Sequence, residues 1–185
     1  TMIGITGSPG TGKKTIAKEL SKNMNIDVFD INKFIIENNL AEYEEGQLIV
    51  DNLKDVRERI DHEFIGKKFI IIGHLLPEVI PEETLLKVIV LRCEPDILMD
   101  RYNERNYDEL KIRDNIVSEL IGTIHYDTVM KYGDDKTFEI DVSNKNVKNI
   151  IDEIIMIIND ERISKDRIDW IDYASKSDKL RRYLN

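Results

Sequence analysis

The chain has 185 residues, of which 41% are hydrophobic and 34% charged, which is apolar enough for one packed core and describes a globular rather than a disordered chain. Its net charge of −9 argues against nonspecific nucleic-acid binding driven by overall charge, and its one cysteine excludes an internal disulfide framework. No apolar run approaches the roughly 20 residues that span a bilayer, and the N-terminus lacks a secretion-signal pattern, so no membrane association and a cytoplasmic location are expected.

In chain order, the apolar run Met2 to Thr6 predicts a strand, and Thr15 to Met24 carries helical spacing. Between them stand Gly7, Ser8, Pro9, Gly10, Thr11, Gly12 and Lys13. The glycines allow a backbone that doubles back with N–H groups pointing inward, and the helix start adds unsatisfied N–H groups and a positive dipole end. Lys13 supplies a charge that reaches β and γ phosphates. Strand, spacing, lysine and helix together read as a Walker A loop for ATP; a glycine-rich turn with a solvated lysine would need all four to coincide by accident. Lys14 occupies the position where Ser or Thr normally gives a hydroxyl to Mg²⁺, and Thr15 is rotated from it by about 100°. Either Mg²⁺ is held by phosphates and water with less protein help, or Lys14 neutralises phosphate charge, or it points to solvent.

Ile26 to Phe29 predicts the second strand. Asp30, just past it, is either an acid facing the substrate or the N-cap of a helix over Asn32 to Asn38. Leu48 to Phe64 predicts the next helix. The third strand, Lys68 to Ile72, is continuously apolar and therefore buried on both faces. It ends in Gly73 and His74 without the acid that commonly helps hold Mg²⁺. His74 lies where ligands bind in open α/β sheets, although a lone histidine is as readily a surface residue.

Val88 to Leu91 predicts the fourth strand, and Pro95 suits the first turn of a helix over Asp96 to Glu104. Arg101 and Arg105 share one face of that helix. Asn106 and Tyr107 break it, and Glu109 to Met130 predicts a second helix with Lys111 and Arg113 at its start. Such a hairpin would place guanidinium groups over transferring phosphoryl oxygens; ion pairs with Asp100 and Glu104 on a solvated helix are the plain alternative. Arg92 joins these residues in a second basic patch. Thr137 to Val142 predicts the fifth strand and Val147 to Asn159 another helix. Past Ile163, the stretch through Trp170 to Leu184 predicts one amphipathic helix anchored by Ile168, Ile171 and Leu180. With no repeat or linker, residues 1–185 read as a single α/β domain: a three-layer P-loop fold, with a five-stranded parallel sheet and helices on both faces.

The phosphate loop GSPGTGK, the tripeptide GHL around His74 and the segment DRYNERNYDELKIRDNIVSEL are similar to the adenylate kinase isoenzyme 6 family, over roughly residues 2 to 160. Arg101, Arg105, Tyr107, Lys111, Asn115 and Glu119 resemble that family's lid helix and the helix after it. The resemblance implies a nucleoside-monophosphate kinase architecture with ATP, AMP and Mg²⁺ as ligands. It implies a monophosphate-binding insertion at about 30–59 and a short lid at about 101–113 without zinc; the helical extension at about 164–185 lies beyond the likeness. Lys13, Arg101, Arg105 and His74 become the catalytic candidates, residues Gly7 to Thr15 the donor site, and Asp30 and Lys111 the substrate side. No residue is assigned as a metal ligand. The family also implies ATPase activity and a part in small ribosomal subunit maturation, with a ribosomal protein or rRNA as partner for an acidic face that includes Glu42, Glu44 and Glu45. Lys14 and Ile72 depart from the family pattern on the metal side, which motivates a third reading, a nucleotide-binding scaffold with little turnover.

Overall fold

The computed structural model describes residues 2–44, 47–161, 165 and 167–184. Its elements in chain order are β1 Met2–Gly7, α1 Lys13–Met24, β2 Asp27–Asp30, α2 Ile31–Glu37, β3 Glu42–Glu44, β4 Gln47–Ile49, α3 Leu53–Glu63, β5 Phe69–Ile72 and α4 Leu76–Val79. They continue with β6 Leu85–Arg92, α5 Pro95–Glu104, α6 Glu109–Ile121, α7 Thr123–Tyr132, β7 Thr137–Asp141, α8 Val147–Ile158, α9 Trp170–Ser175 and α10 Asp178–Arg181.

All five expected strands form one parallel sheet in the order β2-β5-β1-β6-β7. Successive side chains of a strand point to opposite faces, and the apolar runs use both. Ile70, Ile72, Ile89 and Leu91 pack with α1, α5, α6 and α8 on one face. Ile71 and Val88 pack with α2, α3, α4 and α7 on the other. The result is the expected three-layer P-loop kinase architecture. The carboxyl ends of β1, β5 and β6 lie side by side, so the segments that follow them, at Gly7, Gly73 and Cys93, share one rim of the sheet.

Three expected helices are corrected. The helix expected from Leu48 starts at Leu53, after Asn52, whose side chain accepts from the Asp55 N–H at 3.1 Å; Leu48 belongs to β4, paired antiparallel with β3. The single helix expected over Glu109 to Met130 is divided at Gly122, whose φ of 71° ends α6. The C-terminal helix is two short ones, started by Asp169, which accepts from the Asp172 N–H at 3.0 Å, and by Ser177. Ile171 is 48% exposed and anchors nothing; Trp170, Ala174 and Leu180 are the buried residues. Ile163 and Ser164, where that extension was expected to begin, and Glu45 of the acidic face lie outside the described residues.

Candidate phosphate-binding site

β1 delivers Gly7 to the rim, where its backbone passes so close to β6 that a Cβ would stand 2.6 Å from the Leu91 carbonyl oxygen. The loop then turns into α1, with Gly12 as N-cap. Its outer side is held by α5. The Tyr102 hydroxyl donates to the Pro9 carbonyl at 2.6 Å, and Arg101 Nη1 donates to the Gly10 carbonyl. In a trans peptide the N–H opposes the C=O, so the Gly10 N–H is turned away from α5 and is presented to an anion, while the Thr11 N–H bonds back to the Ser8 carbonyl at 3.4 Å. Inside the loop, the Thr11 hydroxyl donates to the Ser8 carbonyl at 2.8 Å, and the Ser8 hydroxyl donates to Glu119 Oε2 at 2.6 Å.

Lys13 Nζ donates to the carbonyls of Gly7 and Ser8 at 2.8 and 2.9 Å, folding the half-buried amine over the loop. Burial, followed by the positive charge of Arg105, holds its pKa down to about 8, against the opposing pull of Glu119 and Asp30. Arg105 is exposed and its side chain has no hydrogen bond or ion pair among the described residues, its backbone N–H alone bonding the Arg101 carbonyl, so its guanidinium is available to a ligand. Arg101 is committed to the loop carbonyl instead. The ion pairs expected for a solvated helix do not hold Arg101, and Asp100 pairs with Lys179 at 3.3 Å.

On the metal side, Lys14 has an 81% exposed side chain and reaches Asp30 Oδ2 at 3.3 Å. Asp30 also caps α2, accepting from the Lys33 N–H at 3.1 Å. The capping reading of Asp30 is therefore realised, and Lys14 pairs with it at the surface. Thr15 is exposed, and Ile72 is buried in the core. Among the described residues no group of three His, Cys, Asp or Glu side chains could hold a metal ion. These residues do not fit a protein-held Mg²⁺; an ion here would be carried by phosphate oxygens and water.

His74 follows β5 on the same rim. Asn32 Nδ2 lies 3.3 Å from its Nδ1, so with Asn32 donating, the proton of the neutral ring sits on Nε2. Partial burial, then the Lys13 charge, lowers the His74 pKa and favours that neutral form. The ring opens onto a groove of about 440 Å³ shared with Pro77, Tyr126 and Met130. Lys111 stands to one side: its ammonium sits 4.0 Å from the centre of the Tyr107 ring, which stacks on Tyr102 at 5.4 Å. Arg92 leaves the basic patch altogether. It is 3% exposed and its guanidinium is spent on Glu119 and Glu139.

The rim therefore brings together Lys13, Lys14, Asp30, His74, Arg101 and Arg105. Tyr102, Asn32 and the part played by Glu119 escape sequence reasoning. For Tyr102 a signal existed, since a phenol on the apolar face of α5 must find a partner when buried.

Comparison with known proteins places the chain among relatives of matching length and fold. The AAA domain family matches residues 3–122. A Methanocaldococcus jannaschii protein named "Putative adenylate kinase" is 34% identical over 171 residues, 91% of this chain and 92% of its own. The "Adenylate kinase isoenzyme 6 homolog" of Caenorhabditis elegans is 32% identical over 75% of this chain and 78% of its own. Among solved structures, shikimate kinase from Acinetobacter baumannii superposes with a TM-score of 0.59 at 14% identity, covering 88% of this chain and 94% of that chain. That last likeness is one of fold.

Proposed function

The chain belongs to the adenylate kinase isoenzyme 6 family, within the AAA domain family, and on that premise we propose that it transfers the γ-phosphoryl group of ATP to AMP. The observation that carries the reading is the loop itself: its carbonyls are gripped from outside by Arg101 and Tyr102, while Lys13 and the unpaired Arg105 stand close enough for one charge to lower the pKa of the other. Two cations held at such a distance favour an anionic ligand between them.

In the reaction, an AMP phosphate oxygen attacks the γ-phosphorus, the bond from that phosphorus to the β–γ bridging oxygen breaks, and two ADP molecules result. The attacking oxygen carries no proton that must be removed, so no general base is required. Loop N–H groups and Lys13 bind the donor phosphates, and Arg105 meets the charge that develops during transfer. Arg101 acts through the Gly10 carbonyl, fixing the loop. AMP enters between the insertion at about 30–59 and His74, whose Nε2–H would donate to a phosphate oxygen. Mg²⁺ arriving with ATP would supply charge neutralisation without ligands from the described residues of this chain, whose own contribution is the cations Lys13 and Arg105.

The metal side favours a second reading, nucleotide binding with little turnover, because Lys14 is paired with Asp30 and Ile72 is buried. ADP formation from ATP and Mg²⁺, with and without AMP, separates the two. Production that depends on AMP supports the kinase, and ATP binding without ADP formation supports the scaffold.

A further inference from the structure

Glu119 is 2% exposed and lies on α6, outside the phosphate loop, yet its carboxylate is a junction of four parts of the chain. Oε2 accepts from the Ser8 hydroxyl at 2.6 Å. Oε1 accepts from Arg92 Nε at 2.9 Å, from the Cys93 N–H at 3.1 Å and from Trp170 Nε1 at 3.0 Å. Three of these donors converge on Oε1 and the fourth on Oε2, so both carboxylate oxygens are held. The four donors come from the loop, from β6, from the residue after it, and from the C-terminal helix α9. Arg92 also bonds Glu139, so one guanidinium serves two buried carboxylates and the indole N–H helps to satisfy the excess negative charge.

The same C-terminal segment braces α5. The Tyr173 ring packs edge-on against Trp170 at 5.7 Å, and its hydroxyl donates to Asp96 Oδ2 at 3.0 Å. Lys179 reaches Asp100 at 3.3 Å. Three consecutive loop residues are thus held from one hairpin, Ser8 by α6 and Pro9 and Gly10 by α5, and the segment from Trp170 to Arg181 is bonded to both helices.

We propose that Trp170 is a positioning residue for the donor site: its indole N–H holds Glu119, Glu119 holds Ser8, and ATP affinity therefore depends on a side chain that never touches the nucleotide. The inference rests on the phosphate-loop reading. It gives the C-terminal extension a purpose, as a brace that fixes the loop in its anion-accepting shape.

Two measurements test it. Trp170→Phe keeps an aromatic ring in the core and removes the donor. ATP affinity by calorimetry is expected to fall between about threefold and tenfold, the size of one lost hydrogen bond, with KM for ATP rising more than kcat falls. A lower melting temperature with unchanged ATP affinity would reduce Trp170 to a packing residue and overturn the proposal. The second measurement needs no variant. Trp170 is the chain's one tryptophan, so its fluorescence should change saturably with ATP at the midpoint found by calorimetry. Emission indifferent to saturating ATP would also overturn the proposal. Lys13→Ala separates the two levels. If it abolishes ATP binding while Trp170→Phe and the emission are silent, only the brace fails; if it leaves ATP binding intact, the loop reading itself fails.

Discussion

Lys13 shows how one residue's surroundings make a function measurable. Its folded pKa of about 8 lies below the ordinary lysine value because burial and Arg105 disfavour the charged form. Above that pH the free amine is neutral, whereas bound phosphates favour the ammonium. ATP binding should then take up a proton above pH 8, and affinity should fall as pH rises through 8, by up to about tenfold per unit. Calorimetry in buffers of different ionisation enthalpy reads that proton directly; heats independent of the buffer at pH 9 would count against it. The two arginines should also separate. Arg105→Ala removes a cation with no structural partner among the described residues, so kcat should fall by about 10²-fold or more with little change in stability. Arg101→Ala releases the Gly10 carbonyl, so KM for ATP should rise first. Steady-state kinetics on both variants would show identical profiles if this division of labour were wrong. Lys13 and its glycines were legible in the sequence because their spacing is local. Tyr102 and Glu119 were not, because their loop partners lie 93 and 111 residues away.

At the scale of elements, the strands were legible for a physical reason: a sheet covered on both faces demands continuous apolar runs, and FIII and VIVL are such runs. The helices were legible less fully. Leu48 fits the helical period of the segment after it, yet a β-pair takes it, and Gly122 breaks a period that otherwise runs smoothly from α6 into α7. Ile168, Ile171 and Leu180 suggest anchors of one amphipathic helix, but the chain divides at Ser177; Leu180 is buried and Ile168 packs against the core, while Trp170 turns inward and Ile171 does not. The strand-to-helix junction supplies the prediction for this scale. At Gly7 an added Cβ would collide with a backbone oxygen that cannot rotate away, in a φ of 148° that side chains rarely adopt. Gly7→Ala should cost about 1–3 kcal/mol in denaturant unfolding and weaken ATP binding as well. A variant with full stability and normal affinity would mean that β1 and β6 can separate at no cost.

The whole molecule explains why a chain of net charge −9 can bind polyphosphate: the cations that matter are gathered on one rim, while Arg92 is withdrawn into a buried pair of carboxylates. The parallel order β2-β5-β1-β6-β7 places the phosphate loop at the centre and the segments after β5 and β6 on either side. No helix among the described residues is long and apolar enough to cross a membrane. The five parallel strands and their two helical layers were legible in the sequence; the order of the strands and the bracing of the loop by the C-terminal segment were not, since they depend on contacts that no periodicity encodes. The central claim is that the γ-phosphoryl group leaves ATP for AMP, and a single-turnover experiment with ATP labelled at the γ-phosphate follows that group directly. With AMP present, the label should appear in ADP, and Lys13→Ala should abolish its transfer. Label released as inorganic phosphate at a rate indifferent to AMP, or retained in ATP throughout, would contradict the account.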